Sequence, residues 1–382
     1  KCPLGETDPV DAPARPTSVG VVWGAGGGKT EPAKVKSVLS VRDDLPPLSS
    51  DHRKFIDWVA SYNLMPRGMA LKLTLSVAGV FAPEKGTVGY VAGTADIALK
   101  PVHQKVIDLA SDGVPRRAAD LAKQAGVGAG VIKTLLAKGF LKSVAMVTPP
   151  PCVSPDMTCA GATLSPDQKK AASALHVASK PILLDGVTGS GKTEVYFEAV
   201  AAALQRGKQV LILLPEIALS NAFLDRFRVR FGCDPALWHS SVSAAKRKTT
   251  WRGVAHGECK VIVGARSALF LPYRDLGLVI VDEEHDPAYK QEEGGFYHAR
   301  DMAVVRAHLA NIPVVLVSAT PSLETMHNVW SGKYEHACLP DRYAGASLPD
   351  VRVIDMTKDK PERQHFIAPT LLKALAETLA AG

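Results

Sequence analysis

No C-x-x-C pair occurs among the six cysteines, Cys2, Cys152, Cys159, Cys233, Cys259 and Cys338, and they form no ladder of close pairs. Neither a disulfide framework nor a structural zinc site is therefore expected, and a reducing, cytoplasmic compartment is. Long apolar runs are also missing. Residues 210–214 and 276–281 stop at Pro215 and Asp282, far short of the ~20 residues that cross a bilayer, which excludes a membrane span. No charged start leads into an apolar core and a small-residue cleavage site, so no secretory signal is expected. The sequence begins at Lys1 rather than Met, and a missing start is expected. What is present is ordinary: 382 residues, 46% hydrophobic and 22% charged. That composition excludes a disordered chain, and the length predicts two or three domains with full cores.

The net charge of +7 is unevenly spread. Residues 1–98 carry 11 basic and 10 acidic side chains, residues 99–142 carry 8 and 3, and residues 164–382 carry 26 and 24. A local basic excess is what a phosphate backbone selects for, although a solvated basic face without a partner has the same composition.

Five segments follow from pattern and composition: 1–98, 99–148, a linker at 149–163, 164–340 and 341–382. In the first, alternation over residues 18–23 and 34–41 predicts short strands, giving a small, mostly β N-terminal domain. One helix is predicted from Ser49 or Ser50 through Phe55, Ile56, Trp58, Val59 and Tyr62 to a turn at Pro66-Arg67-Gly68. The run Gly24-Ala25-Gly26-Gly27-Gly28-Lys29-Thr30 imitates a phosphate loop, but Trp23 stands where its first glycine must, so it reads as a plain loop. In the second segment, residues 103–110, 117–125 and 131–138 read as helices, the last two ended by Gly126 and Gly139, and residues 140–142 and 144–147 as a hairpin wing. A helix, a glycine turn and a second helix with Lys133 and Lys138 on its polar side fit a winged helix bound to DNA. The same pattern also serves as a three-helix spacer for protein contacts.

From Leu164 onward, apolar strands at residues 181–185, 209–214, 260–263, 276–282 and 313–318 alternate with amphipathic helices. Such alternation predicts an α/β fold, a parallel sheet with helices on both faces and ligands at the carboxyl ends of its strands. Gly186-Val187-Thr188-Gly189-Ser190-Gly191-Lys192-Thr193 satisfies G-x-x-x-x-G-K-[ST] between a strand and a helix. In this motif glycines turn backbone N–H groups toward phosphates, Lys192 faces the β and γ phosphates of ATP, and the Thr193 hydroxyl is offered to Mg2+. The strand ending Asp282-Glu283-Glu284-His285 is expected beside the P-loop strand, with Asp282 on the hydrated metal and Glu283 taking a proton from the attacking water. A solvated strand end would carry the same acids without the P-loop.

These motifs resemble the PriA family of superfamily 2 replication-restart helicases, primosomal protein N-prime. The match runs through residues 185–196, 214–219, 263–270 and 282–286, Tyr289-Lys290-Gln291, His298-Ala299-Arg300-Asp301 and Ser318-Ala319-Thr320-Pro321-Ser322-Leu323-Glu324-Thr325, in that order. It is dense over residues 160–382 and weaker before them. The resemblance implies a RecA-like first helicase lobe after a winged helix and an N-terminal domain for the 3′ end of DNA. It implies 3′-to-5′ translocation on forked and single-stranded DNA, replication restart by primosome assembly, primosome proteins and single-stranded-DNA-binding protein as partners, and a monomer. By it Gln168 reads adenine. Arg266, His285, Tyr289, Phe296, Tyr297, Arg300, Ser318, Ala319 and Thr320 couple hydrolysis to DNA. Read bottom-up, the aromatic segment 289–297 is either a mobile loop with stacking rings or, at Tyr289, a ring packed beneath it. Gly295, Phe296, Ala265 and Ser241 depart from the family pattern. The family's second lobe, with an arginine finger and an eight-cysteine zinc insertion, would begin just past Gly382, and an extreme N-terminal strand would precede Lys1. A fragment that binds ATP better than it hydrolyses it is therefore expected. Two other classes fit the motifs: a DNA-binding scaffold that holds ATP without motor action, and a winged-helix P-loop transcriptional regulator.

Overall fold

Helix α1 (Ser50–Tyr62) starts where Ser49 accepts the His52 N–H on its side chain, and it buries Phe55, Ile56 and Val59. The structure, a computed structural model, describes residues 20–24, 31, 38, 41–81, 88–94, 100–146, 150–215, 220–292, 295–342 and 351–381. The strand expected at residues 18–23 does not form over its described residues 20–23, while most of the strand expected at 34–41, and residues 25–30 of the glycine-rich run, lie outside the described residues. The turn expected at Pro66 is instead the start of α2 (Arg67–Leu75), because proline is accommodated at a helix entrance and Ala70 and Thr74 are buried. Both helices dock on the later sheet domain. The Trp251 indole donates to the Thr74 carbonyl at 2.8 Å, and Arg252 to the Val80 carbonyl at 2.8 Å. Phe55 and Ile56 share one core with Leu269, Phe270 and Met302.

Strand β1 (Val88–Ala92) is followed by α3 (Pro101–Ala110), α4 (Ala118–Ala125), α5 (Ala129–Ala137) and β2 (Leu141–Ala145). The hairpin expected within residues 140–147 does not form. Residues 141–145 are one strand, paired antiparallel with β1 from Val88↔Ala145 to Ala92↔Leu141. The glycine at 93 permits this approach, since its N–H donates to the Phe140 carbonyl and a Cβ would strike the Gly139 oxygen. The three-helix unit thus takes a strand from the segment before residue 98. Its core is Val106, Leu121, Ile132, Leu135, Phe140 and Leu141.

The remainder runs α6 (Pro166–Val177), β3 (Ile182–Gly186), α7 (Lys192–Gln205), β4 (Gln209–Leu213), α8 (Asn221–Phe231), β5 (Ala236–Trp238), α9 (Ala244–His256), β6 (Val261–Gly264) and β7 (Leu276–Asp282). A two-residue pair, β8 (Lys290–Gln291) and β9 (Tyr297–His298), precedes α10 (Ala299–Ala310), β10 (Val314–Ser318), α11 (Leu323–Trp330) and β11 (Glu335–Leu339). Helix α12 (Pro369–Ala381) buries none of its residues. Seven strands form a parallel sheet in the order β11-β3-β10-β7-β4-β6-β5. Strand β7 is therefore not beside the P-loop strand β3, as expected from the sequence; β10 lies between them. The two edge strands escaped the sequence reading because β5 has three residues and β11 alternates buried with exposed positions.

One disulfide overturns the expectation that the cysteines stay unpaired. Cys152, in the proline-rich linker, is bonded to Cys259 just before β6, with Cα atoms 5.4 Å apart and a sequence separation of 107. Such a spacing carries no pattern; the linker brings the two together only once the sheet has formed.

Candidate active site

The chain leaves β3 at Gly186 and turns into α7 through two left-handed glycines, Gly189 at φ +82° and Gly191 at φ +79°. Side chains are disfavoured there, and a Cβ on Gly186 would also lie 2.7 Å from the Ser190 hydroxyl. Lys192 Nζ donates to the carbonyls of Gly186 at 2.6 Å and Val187 at 3.3 Å. Burial pulls its pKa down, against the opposing pull of Glu283, Asp282 and Asp185. Lys192, Thr193, Asp282, Glu283 and Arg226 line one cavity of about 210 Å³, together with Thr188 and the turn backbone. Arg226, from α8, was missed by sequence reasoning; it pairs with Glu194 at 3.2 Å.

Asp282 is held at both carboxylate oxygens. The Tyr196 hydroxyl donates to Oδ2 at 2.9 Å and the Glu283 N–H to Oδ1 at 3.0 Å. Burial pushes its pKa up to about 6, with Tyr196 and Lys192 among the groups pulling the other way. Glu283 sits at φ +50°, a left-handed conformation that costs a non-glycine residue roughly 1–2 kcal/mol and is found at functional turns. His285 Nδ1 lies 3.7 Å from Glu283 and 2.8 Å from the Ser318 hydroxyl, which also accepts the Thr320 N–H at 3.0 Å. Through His285 the acidic motif and Ser318-Ala319-Thr320 are in direct contact.

Gln168 is buried and its amide is engaged. It accepts the Ser165 N–H at 2.9 Å in a capping box, and donates to the Ser190 carbonyl of the P-loop at 2.9 Å. It borders a cavity of about 430 Å³ with Leu164, Leu339 and Arg342. A second N–H and a second lone pair remain on the amide for a base.

The aromatic segment divides. Phe296 is 71% exposed, but Tyr289 is 1% and Tyr297 7% exposed, so of the two readings left open for Tyr289 the packed ring holds, and the reading of Tyr297 as a stacking ring is corrected. The Tyr289 hydroxyl is shared between the carbonyls of Leu213 at 3.0 Å and Asp282 at 2.5 Å, and Tyr297 packs edge-on to Phe270. These rings are core because their hydroxyl and edge find partners only beneath the loop. Arg300 is buried too, with Nη1 3.2 Å from Glu284 and 2.7 Å from the Ser322 hydroxyl. Glu284, fully buried, also accepts from the Ser322 N–H at 2.7 Å and the Thr325 hydroxyl at 2.9 Å. It thereby fastens the start of α11 to the acidic motif. Arg266 donates to the carbonyls of Ala288 at 2.9 Å and Lys290 at 2.8 Å, bracing the segment from the side.

Above the ends of β4, β5 and β6 lies a third cavity of about 540 Å³, lined by Trp238, His239, Arg247, Ala265, Arg266 and Tyr289 among others. The Arg247 guanidinium stands 5.1 Å from the Trp238 ring. Sequence reasoning missed Trp238 and Arg247, although the basic run Lys246-Arg247-Lys248 was a readable signal. Lys133 and Lys138 are exposed on α5 and its C-cap and line none of these cavities.

Residues 165–329 match the DEAD/DEAH box helicase family and residues 10–76 the 3′ DNA-binding domain (3′BD) of PriA. Among curated proteins, Replication restart protein PriA of Rickettsia felis is 50% identical over 216 residues, 56% of this chain and 33% of that protein. The namesake from Chlamydia pneumoniae is 36% identical over 375 residues, 92% of this chain and 50% of that one. That of Bacillus subtilis is 38% identical over 285 residues, 71% and 35% of the respective chains. The chain spans between a third and a half of the length of these relatives.

Proposed function

The chain belongs to the PriA replication-restart family, and on that premise we propose that it is the ATP-binding part of a 3′-to-5′ DNA helicase that engages abandoned replication forks. The observation that carries this reading is the convergence of Lys192, Thr193, Asp282 and Glu283 on one cavity, with His285 bonded to Ser318 behind it. In the proposed mechanism the P-loop N–H groups, the start of α7 and Lys192 hold the ATP phosphates. Thr193 and Asp282 present hard oxygen donors to the same cavity, which suits Mg2+ kept largely by water and phosphate rather than by a protein cage. Bound Mg2+ would supply charge neutralisation for the phosphates.

Glu283 takes the proton of the water that attacks the γ phosphorus. His285 and Ser318 pass the change in that corner to the segment around Ser318-Ala319-Thr320. Phe296 is the ring available to stack on a base, while Tyr289, Tyr297, Arg266 and Arg300 set the loop that carries it. The three-helix unit, read as a winged helix, contacts phosphates of forked or single-stranded DNA through Lys133 and Lys138. Primosome proteins, single-stranded-DNA-binding protein and a monomeric state are part of the same proposal. A scaffold or regulator without motor action has no use for the His285 to Ser318 bond, which favours the helicase.

Glu283→Gln tests the chemistry. Binding of a fluorescent ATP analogue should stay within about twofold, and DNA-stimulated phosphate release in the full-length protein should fall by about 10²-fold or more. Near-normal release would remove Glu283 from the role of base.

A further inference from the structure

We infer that Tyr196 is the positioning residue for the Asp282 carboxylate, bracing it against the helix that carries Thr193 and Lys192. The inference rests on the nucleotide-site reading above and deepens it. Tyr196 is fully buried, edge-on to Phe197 with ring centroids 5.4 Å apart. Phenylalanine would fill that space equally well, and a buried hydroxyl left unbonded costs about 1–3 kcal/mol. The hydroxyl is instead bonded to Asp282 Oδ2 at 2.9 Å, and it also meets the Thr193 side chain.

The other carboxylate oxygen accepts the Glu283 N–H at 3.0 Å. With a donor on each oxygen, from α7 and from the end of β7, the group cannot rotate about its Cβ–Cγ bond without losing a hydrogen bond. Each oxygen keeps a further lone pair. Tyr196 lies three residues after Thr193 on one helix, so the brace ties Asp282 directly to the turn that presents Thr193. The Asp282 main chain is held separately, by the Tyr289 hydroxyl on its carbonyl at 2.5 Å. Removing the Tyr196 hydroxyl therefore frees the side chain and leaves the backbone in place.

The test is Tyr196→Phe in the 382-residue chain, with a non-hydrolysable fluorescent ATP analogue titrated against Mg2+, and Mn2+ binding followed by electron paramagnetic resonance. The Mg2+ concentration for half-maximal analogue binding should rise about tenfold, the order of one hydrogen bond to a charged group, and Mn2+ should bind correspondingly more weakly. Analogue affinity in excess chelator should stay within about twofold. Placing 4-aminophenylalanine at Tyr196 keeps a donor and should restore most of the metal requirement, including if phenylalanine impairs folding. An unchanged metal requirement overturns the inference. So does an equal loss with and without metal, which would make Tyr196 a packing residue of α7. Lys192→Ala separates the premise: if it leaves analogue binding intact, the nucleotide site itself is misassigned.

Discussion

The nucleotide lobe and the three-helix unit use charge in opposite ways. Around β7 three ionic groups are buried and hydrogen-bonded: Glu284 is fully enclosed and paired with Arg300, which is 8% exposed, and Asp282 is 9% exposed. On α5, Lys133 stands in solvent, as does Lys138 at the helix cap. In the first region a charge acts through geometry, because a desolvated group interacts strongly and has few permitted positions. In the second, on the proposed reading, it acts through number, because each lysine placed on a phosphate would release about one counterion whatever its rotamer.

The largest effect that should sharpen this contrast is on stability. Glu284→Ala leaves Arg300, Ser322 and Thr325 without their shared acceptor, and a broken buried ion pair costs roughly 3–5 kcal/mol. Urea denaturation should show that loss in the lobe, and a midpoint unchanged from wild type would mean that the Ser322 cap survives by itself. Next in size is binding. Lys192→Ala should weaken a fluorescent ATP analogue by about 10²-fold, roughly 3 kcal/mol, with the fold intact by circular dichroism. Retained affinity would place the phosphates elsewhere. Smallest is the exposed pair: replacing Lys133 and Lys138 with alanine should reduce the slope of log affinity against log salt for forked DNA by about two. Analogue binding should not change. An unaltered slope would return the unit to the reading of a protein-contact module, and an effect on nucleotide binding would break the contrast itself.

The P-loop, the acidic strand end and five of the seven sheet strands were legible because each is a local pattern: an apolar run, a turn that needs glycine, a helix. Gln168 was named through the resemblance alone, and its bond to the Ser190 carbonyl joins positions 22 residues apart and has no signature in sequence. Tyr297 misled, and Tyr289 stayed open, for a related reason. An aromatic residue near a motif looks the same whether its ring meets solvent or core, and only their packing under the loop, against Leu213 and Phe270, distinguishes them from Phe296.

By itself the sequence determined that this chain has an α/β lobe with a phosphate-binding turn and an acidic strand end, since those depend on residue type at fixed spacing. Tertiary structure alone decided that β10 separates the two motif strands, that β1 closes the sheet of the next unit, that Cys152 meets Cys259, and that Tyr196 reaches Asp282. Each of these joins residues 35 or more positions apart, where closing the intervening chain costs entropy that only the assembled core repays.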